Sequence, residues 1–272
     1  MTGSGTENDP FIVDNWTDFR TIDTNSTEIY VRWADAENKI IDFNNILPEG
    51  FSETVNIPAH VDFNGWTLKN FHSTANYYSF YCSSASDAMI ENLILENFYI
   101  NSSNLFYGST LLKNCIISGM VQYDGNAYVF NGCGLKNCSL NIKTNAASFT
   151  LMSGSGFSSP KSQITNSDVI LDISCSSSNA SVFNSLIKNS RISGKIRSDN
   201  QKITIGASSS MSNIFNLETN APLYYQGYGI SVYNSDFAQK SSDSNKSFIG
   251  VTSEQLKNAE YLYSIGFPIG IE

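Results

Sequence analysis

One asparagine recurs along the middle of this chain, and its spacing limits the possible folds more than any other feature. The eight copies are Asn70, Asn92, Asn114, Asn137, Asn166, Asn189, Asn213 and Asn234, separated by 22, 22, 23, 29, 23, 24 and 21 residues. An apolar side chain stands two positions before each copy, and in six repeats another follows three positions after it, the last being Phe237. A fixed period of this size is typical of solenoids.

Short apolar and aromatic runs precede the asparagines from Asn92 onward, and they have the composition of β-strands. Examples are residues 78–81, 105–107 and 128–130, each bounded by Ser, Asn or Gly. A helical repeat would need apolar residues at i, i+3, i+4 and i+7 over ten or more positions, and the central chain has no such run. The sequence therefore predicts an all-β, single-stranded parallel β-helix of about eight to ten coils.

The repeated asparagine is expected to stand at a turn of each coil. Asparagine tolerates the left-handed backbone conformation better than other residues with a side chain, and it hydrogen-bonds nearby backbone. Asparagines of successive coils can also bond to one another as a ladder. If that ladder is buried, Asn137→Leu is expected to lower the free energy of unfolding by about 1–3 kcal/mol, because buried partners lose their hydrogen bonds.

The repeat divides the chain into three parts. Residues 1–59 form an N-terminal segment and cap, 60–238 the parallel β-helix, and 239–272 a linker and a C-terminal helix. Asp14 is a candidate N-cap of a short N-terminal helix that carries Trp16 and Phe19, and Thr252–Gln255 reads as a capping box that opens a helix through about Tyr263. The long step after Asn137 predicts a protruding loop at residues 153–160.

Composition excludes several classes of function. Charged residues make up 15% of the chain and the net charge is −9, which argues against a nucleic-acid partner. No run of 18 apolar residues is present, so we expect no membrane insertion. The N-terminus shows no signal peptide, which predicts synthesis in the cytoplasm. The five cysteines have no zinc-site spacing, and we expect free thiols, with a disulfide as the alternative. No cofactor or metal is expected.

The charged residues do not form a pattern that indicates catalysis. Asp168 and Asp172 lie four apart on a predicted strand, which places them about 13 Å from each other. That separation is too long for a retaining glycosidase pair and long even for an inverting one. His60 and His72 are the only histidines. We therefore predict no catalytic residues, with a polysaccharide lyase or glycoside hydrolase as the alternative. Lysines before four of the asparagines form either a basic column or solvated turn positions.

Tyrosines give the strongest indication of a ligand site. Aromatic residues cluster near residues 77–81 and again near 224–233, in numbers that exceed what one inward face can hold. Some rings must therefore point outward, where they can stack on sugar rings or become buried at a subunit interface. The candidate ligand-binding residues are Tyr77, Tyr78, Tyr81, Tyr224, Tyr225 and Tyr228.

The predicted coil resembles the right-handed parallel β-helices of the pectate-lyase-like group, in which an asparagine ladder lies at one turn. The opening Gly3–Phe19 is similar to the start of β-helical proteins from phages and phage-like elements of Gram-positive bacteria. The closing Val251–Phe267 resembles repeats of bacterial β-helical adhesins.

The resemblance implies a non-enzymatic tail fibre, spike or baseplate-peripheral component of a virion or tail-like particle. Its implied partners are other tail or baseplate proteins, further copies of itself as a homotrimer, and a cell-surface polysaccharide of the host. A purely structural, decorating particle protein is the alternative.

Overall fold

The protein is a parallel β-solenoid of about 8 turns, in which 8% of the residues are helical. The computed structural model describes residues 1–24, 28–82, 87–153, 163–176, 181–199, 203–205, 210, 212–227, 229–242 and 244–267. The predicted all-β, parallel architecture is confirmed. The loop expected at residues 153–160 lies outside the described residues, apart from Ser153.

The strands of the described residues are numbered in chain order. They are β1 (Phe11–Val13), β2 (Tyr30–Trp33), β3 (Ile40–Asp42), β4 (Val55–Ile57), β5 (His60–Asp62), β6 (Thr67–Lys69), β7 (His72–Ser73), β8 (Tyr78–Cys82), β9 (Met89–Glu91), β10 (Ile94–Ile100), β11 (Asn104–Tyr107), β12 (Leu111–Lys113), β13 (Ile116–Asn131), β14 (Gly134–Lys136), β15 (Ser139–Ser153), β16 (Gln163–Thr165), β17 (Asp168–Cys175), β18 (Phe183–Asn184), β19 (Leu186–Lys188), β20 (Arg191–Ser198), β21 (Ile203–Ile205), β22 (Ile214–Thr219), β23 (Leu223–Tyr225), β24 (Ser231–Asn234) and β25 (Phe248–Val251).

Two long sheets form the walls of the solenoid. One has eight strands in the order β1-β2-β5-β9-β12-β14-β16-β19, and the other has 15 strands running from β3 to β25, while β21 and β23 form a small third sheet. Stacking therefore extends on both sides of the predicted 60–238 body, because β1 and β2 precede it and β25 follows it. These outer coils lack the repeated asparagine, so the period alone could not reveal them.

Six of the eight asparagines stand at left-handed turns, as expected. Their φ angles lie between 48° and 57°. In three successive coils they form the predicted ladder, since Asn137 Nδ2 donates to Asn114 Oδ1 (3.3 Å) and Asn114 Nδ2 donates to Asn92 Oδ1 (3.4 Å). Asn70 belongs to a second, shorter ladder, in which it donates to Asp42 (2.8 Å) and accepts from Asn97 (2.7 Å).

The last two asparagines do not occupy the predicted turn position. Ser212 takes the left-handed conformation (φ 58°), and Asn213 is fully buried, where its Oδ1 accepts from the N–H of Ser190 (3.2 Å). Asn234 lies still further along its coil, because β24 aligns Val232 with Ile214. Although the asparagines recur at similar intervals in the sequence, the last two are shifted in register relative to those of the earlier coils.

The Asn137→Leu prediction needs a different physical reason in the structure. The side chain of Asn137 is exposed, so its ladder bond contributes little, whereas the left-handed backbone penalises leucine by about 1–2 kcal/mol. Asn137→Leu should lower the free energy of unfolding by that amount in chemical denaturation. Asn137→Gly should be close to neutral, since glycine adopts this conformation freely. Equal losses for both variants would show that the amide, rather than the turn, carries the stability.

Short helices flank the coil: α1 (Trp16–Arg20), α2 (Phe43–Ile46) and α3 (Ala259–Ser264). The N-cap of α1 is Asn15 rather than the predicted Asp14, with its side chain accepting from Asp18 N. The predicted capping box is present, since Thr252 N donates to Gln255 Oε1 (2.8 Å) and Gln255 N to Thr252 Oγ1 (3.2 Å). It opens only a 3₁₀ turn, because Asn258 is extended and caps α3 separately.

The interior contains stacked apolar side chains. A column of phenylalanines runs from Phe71 through Phe80 and Phe106 to Phe130, with successive ring centroids 4.4, 5.0 and 5.7 Å apart. All five cysteines are free and buried. Burial raises the pKa of the Cys175 thiol to about 11, so this thiol remains protonated at neutral pH.

Candidate functional site

Three of the six predicted tyrosines, Tyr77, Tyr78 and Tyr81, lie where five successive coils align equivalent positions in register. One row is formed by Asn56, Tyr81, Tyr107, Asn131 and Ser153. A second row is formed by Tyr78, Asn104, Tyr128 and Thr150, in which Asn104 is buried and the other three are half-buried. Together with Tyr77, which directly precedes β8, these two rows are called the tyrosine strip. The parallel register of β4, β8, β11, β13 and β15 creates it, because equivalent positions of successive coils stack along the rod.

Three rings of the strip, those of Tyr78, Tyr81 and Tyr107, contact one another and form one aromatic surface. The rings of Tyr78 and Tyr107 are stacked, with centroids 4.9 Å apart and planes 12° from parallel, and Tyr81 lies 6.1 Å from Tyr107. Tyr77 is 72% exposed, Tyr107 39% and Tyr81 36%. Large exposed rings that contact one another present more apolar surface than scattered single residues, which is typical of a binding surface.

Hydrogen bonds from the coils on both sides fix the backbone beneath these rings. The side-chain Nδ2 and the backbone N–H of Asn104 both donate to the carbonyl oxygen of Tyr77 (2.9 and 3.0 Å). Thr54 Oγ1 donates to the carbonyl of Tyr78 (2.9 Å). The strip is therefore held in place before any ligand arrives, which lowers the entropy cost of binding.

The strip carries no charge of its own. Its residues are tyrosine, asparagine, serine and threonine, so they offer hydroxyl groups and carboxamides that both donate and accept hydrogen bonds. A surface of apolar rings bordered by neutral polar groups suits a ligand that presents both apolar C–H faces and hydroxyl groups.

The second tyrosine group is not part of this surface. Tyr225 is 1% exposed, its hydroxyl donates to the Ser210 carbonyl (2.6 Å), and its ring stacks on Phe248 at 4.8 Å. Burial raises the pKa of Tyr225, as expected for a core tyrosine. The prediction that Tyr225 contributes to an exposed site is wrong. Tyr224 is half-buried on β23, and Tyr228 lies outside the described residues.

Tyr107 and Tyr128 are members of the strip that the sequence did not indicate. The available signal was an inward phenylalanine within two residues of each of them, since Phe80, Phe106 and Phe130 follow one another at 26 and 24 residues. These intervals differ from the asparagine period of 22 and 23 residues, because Phe80, Phe106 and Phe130 lie 10, 14 and 16 residues after Asn70, Asn92 and Asn114. Alignment on the asparagines alone therefore misplaces the outward positions.

The acidic pair considered for catalysis has basic neighbours. Asp168 Oδ1 lies 3.3 Å from Arg191 Nε in the next coil. Asp172 stands in register between Lys143 and Lys195, and Lys195 Nζ lies 3.0 Å from Glu218. These carboxylates alternate with cations along the sheet, which indicates a surface charge ladder rather than an acid and base poised across a substrate.

The histidines and the lysine column are also engaged with neighbours. The imidazole of His60 stacks on Tyr30 (4.0 Å), while His72 contacts the edge of Tyr99 (5.2 Å). Lys113 Nζ lies 2.8 Å from Glu91, a hydrogen-bonded ion pair that raises the pKa of Lys113. Lys136 and Lys188 belong to the same column, with Thr165 between them, whereas Lys69 stands in the other sheet. The column is therefore mixed in charge.

The part of the chain that the structure describes offers neither a metal site nor a membrane-spanning helix. Those residues contain no group of three or more His, Cys, Asp or Glu side chains placed to hold a metal ion. None of the helices described above has the length and apolar character needed to cross a membrane. Comparisons with protein-family models, with curated proteins and with solved structures gave no match to this chain.

Proposed function

We propose that this protein is a non-enzymatic, glycan-binding β-solenoid that serves as a fibre, spike or baseplate-peripheral component of a phage tail or tail-like particle. The observation that carries the binding role is the tyrosine strip, where Tyr78, Tyr81 and Tyr107 form one surface on a rigid scaffold. Their flat faces can stack on the C–H faces of sugar rings while hydroxyl groups and amides bind the sugar hydroxyls.

The chemistry of the strip selects the class of glycan. A uronic or sialic acid polymer would need cations to neutralise its carboxylates. Neither row of the strip contains Lys, Arg or His, and the whole chain has a net charge of −9, which repels an anionic polymer. We therefore assign a neutral polysaccharide to this surface, with its chain running along the rod, parallel to the rows of side chains.

The particle role rests on the resemblance of Gly3–Phe19 to phage-encoded β-helical proteins and on a rod-like fold suited to extending from a particle.

A second observation favours contact with another protein, as the structural alternative requires. Ile40, Thr67, Ile94 and Ile116 align in four successive strands of one sheet, and Ile40 and Ile116 are 52% and 50% exposed. Such an exposed apolar column is suited to a neighbouring subunit. The placement of Asp168 and Asp172 beside cations supports a polysaccharide lyase or hydrolase less well.

Affinity electrophoresis through gels that contain a neutral or an acidic polysaccharide tests the binding role. The wild type should be retarded by a neutral polysaccharide and not by an acidic one. The double variant Tyr81→Ala/Tyr107→Ala should lose at least about tenfold in affinity, which corresponds to ~1.4 kcal/mol. Tyr263→Ala is the matched control, because Tyr263 is 76% exposed on α3, away from the strip. Unchanged retardation of the double variant, or preference for the acidic polymer, would contradict the proposal.

A further inference from the structure

A cleft of about 350 Å³ opens between two successive turns near the C-terminal end of the solenoid. Residues 219–222, at the end of β22 and beyond it, line one side, and residues 235–239, which follow β24, line the other. The N–H of Thr219 donates to the carbonyl of Phe237 (3.3 Å), which joins the two sides. The volume lies in the lower part of the range for small-ligand sites, about 300–1,000 Å³.

An exposed aromatic ring lines this cleft. Phe237 is 51% exposed, although the sequence repeat gives it the apolar position after the last asparagine. The turn places the neighbouring Ala238 inside the coil instead, where it is 7% exposed. Two backbone bonds to the Asn234 carbonyl, from Phe237 N (3.4 Å) and Ala238 N (3.1 Å), fix this arrangement. The ring is thus held on the outside by the fold.

The carboxylate of Asp236, the residue before Phe237, also lines the cleft and is fixed by a hydrogen bond. Asp236 Oδ2 accepts from the N–H of Ser253 (2.8 Å), and the N–H of Asp236 donates to Asn234 Oδ1 (3.0 Å). Asn234 is 1% exposed and also donates to Ser253 Oγ (2.9 Å), so the turn is anchored on a buried side-chain amide. Hydrogen bonds from Ser253 lower the pKa of Asp236 below its usual range, so the group is ionised at neutral pH.

Two other polar side chains of the cleft, those of Asn220 and Thr219, are already hydrogen-bonded within the protein. Both polar atoms of the Asn220 side-chain amide are hydrogen-bonded, since Oδ1 accepts from Ser198 N (2.9 Å) and Nδ2 donates to Ser198 O (3.0 Å). Thr219 Oγ1 donates to the Ala221 carbonyl (2.9 Å). Asp236 is the one charged residue among those that line the cleft.

We propose that this cleft binds a small ligand that carries an ammonium group, with an amino sugar as the fitting class. An ionised carboxylate only accepts hydrogen bonds, so it requires donors on the ligand. The face of a phenyl ring attracts cations as well as apolar surfaces. A carboxylate and a ring side by side therefore both favour a positively charged group, and a cleft of this size accommodates a single sugar ring. The site is separate from the tyrosine strip, so the two functions can fail independently.

Ligand-observed NMR with glucosamine, and with glucose as the neutral counterpart, tests this site. Glucosamine should bind at least tenfold more tightly than glucose. Phe237→Ala and Asp236→Asn should each weaken glucosamine binding by at least tenfold, and Phe237→Ala should keep the wild-type melting temperature because the ring is exposed. Tyr107→Ala should bind glucosamine as the wild type does.

The assignment would be overturned by no binding of glucosamine at millimolar concentration, by equal binding of the two sugars, or by unchanged glucosamine binding in Phe237→Ala or in Asp236→Asn. Loss of binding in Tyr107→Ala but not in Phe237→Ala would move the amino sugar to the tyrosine strip and also overturn it.

Discussion

Phe106→Ala is expected to lower the free energy of unfolding by about 3–5 kcal/mol, as is typical when a buried phenylalanine is truncated in a packed core. The side chain of Phe106 is 1% exposed and lies between Phe80 (5.0 Å) and Phe130 (5.7 Å) in the phenylalanine column. Truncation removes one ring from the middle of this stack and leaves a cavity between three successive coils. Because a solenoid is stabilised by contacts between neighbouring coils, the loss weakens two coil interfaces at once.

The next residue along the strand provides the control for this variant. Tyr107 has a similar size and lies on the same strand, but it is 39% exposed. Tyr107→Ala should change the free energy of unfolding by less than about 1 kcal/mol while weakening polysaccharide binding. Urea denaturation followed by circular dichroism measures the free energy of unfolding of Phe106→Ala and of Tyr107→Ala. Similar losses of stability in the two variants would mean that the assignment of inward and outward faces on β11 is wrong.

Gly194→Ala should destabilise the protein by about 3 kcal/mol or more, through backbone strain combined with overpacking. Gly194 has a φ angle of 112°, which side-chain-bearing residues rarely adopt. A Cβ atom added there would meet the backbone oxygen of Leu171 at 2.0 Å, so β17 or β20 must move. Because Gly194 pairs with both Leu171 and Leu217, the displacement affects the strands on each side.

Gly65→Ala separates strain from crowding. Gly65 also has a positive φ angle, 76°, but nothing lies within 4 Å of the added Cβ. The expected cost is therefore only that of the left-handed conformation, about 1–2 kcal/mol. Thermal unfolding of both variants measures the difference. A melting temperature of Gly194→Ala equal to that of Gly65→Ala would show that the two strands can separate at no cost.

The solenoid could be predicted from the sequence because its turn has a local cause. A left-handed residue is needed at the turn that joins the two long sheets, and asparagine meets that need at Asn92, Asn114 and Asn137. The rule failed at Ser212, where a serine takes the strained conformation and the neighbouring asparagine turns inward. The choice between two adjacent residues depends on the register with the coils on either side, which no local pattern records.

The candidate site was only partly predictable for a similar reason. Tyr77 and Tyr81 stand out in the sequence as members of an aromatic cluster, and both are exposed. Tyr107 is a single aromatic residue after a phenylalanine, and it joins them only because β11 pairs with β8. Tyr225 belongs to a cluster that looks equivalent, yet it fills the interior of a late coil. Which tyrosine faces outward depends on where each coil bends, and that follows from long-range packing.

Co-sedimentation with cell envelopes of a Gram-positive host, combined with an assay of released sugar ends, tests the central claim most directly. The account predicts that the wild type sediments with the envelopes, that no sugar ends are released, and that Tyr81→Ala/Tyr107→Ala stays in the supernatant with an unchanged melting temperature. Release of sugar ends would identify an enzyme, and equal sedimentation of the wild type and the double variant would contradict the role of the tyrosine strip.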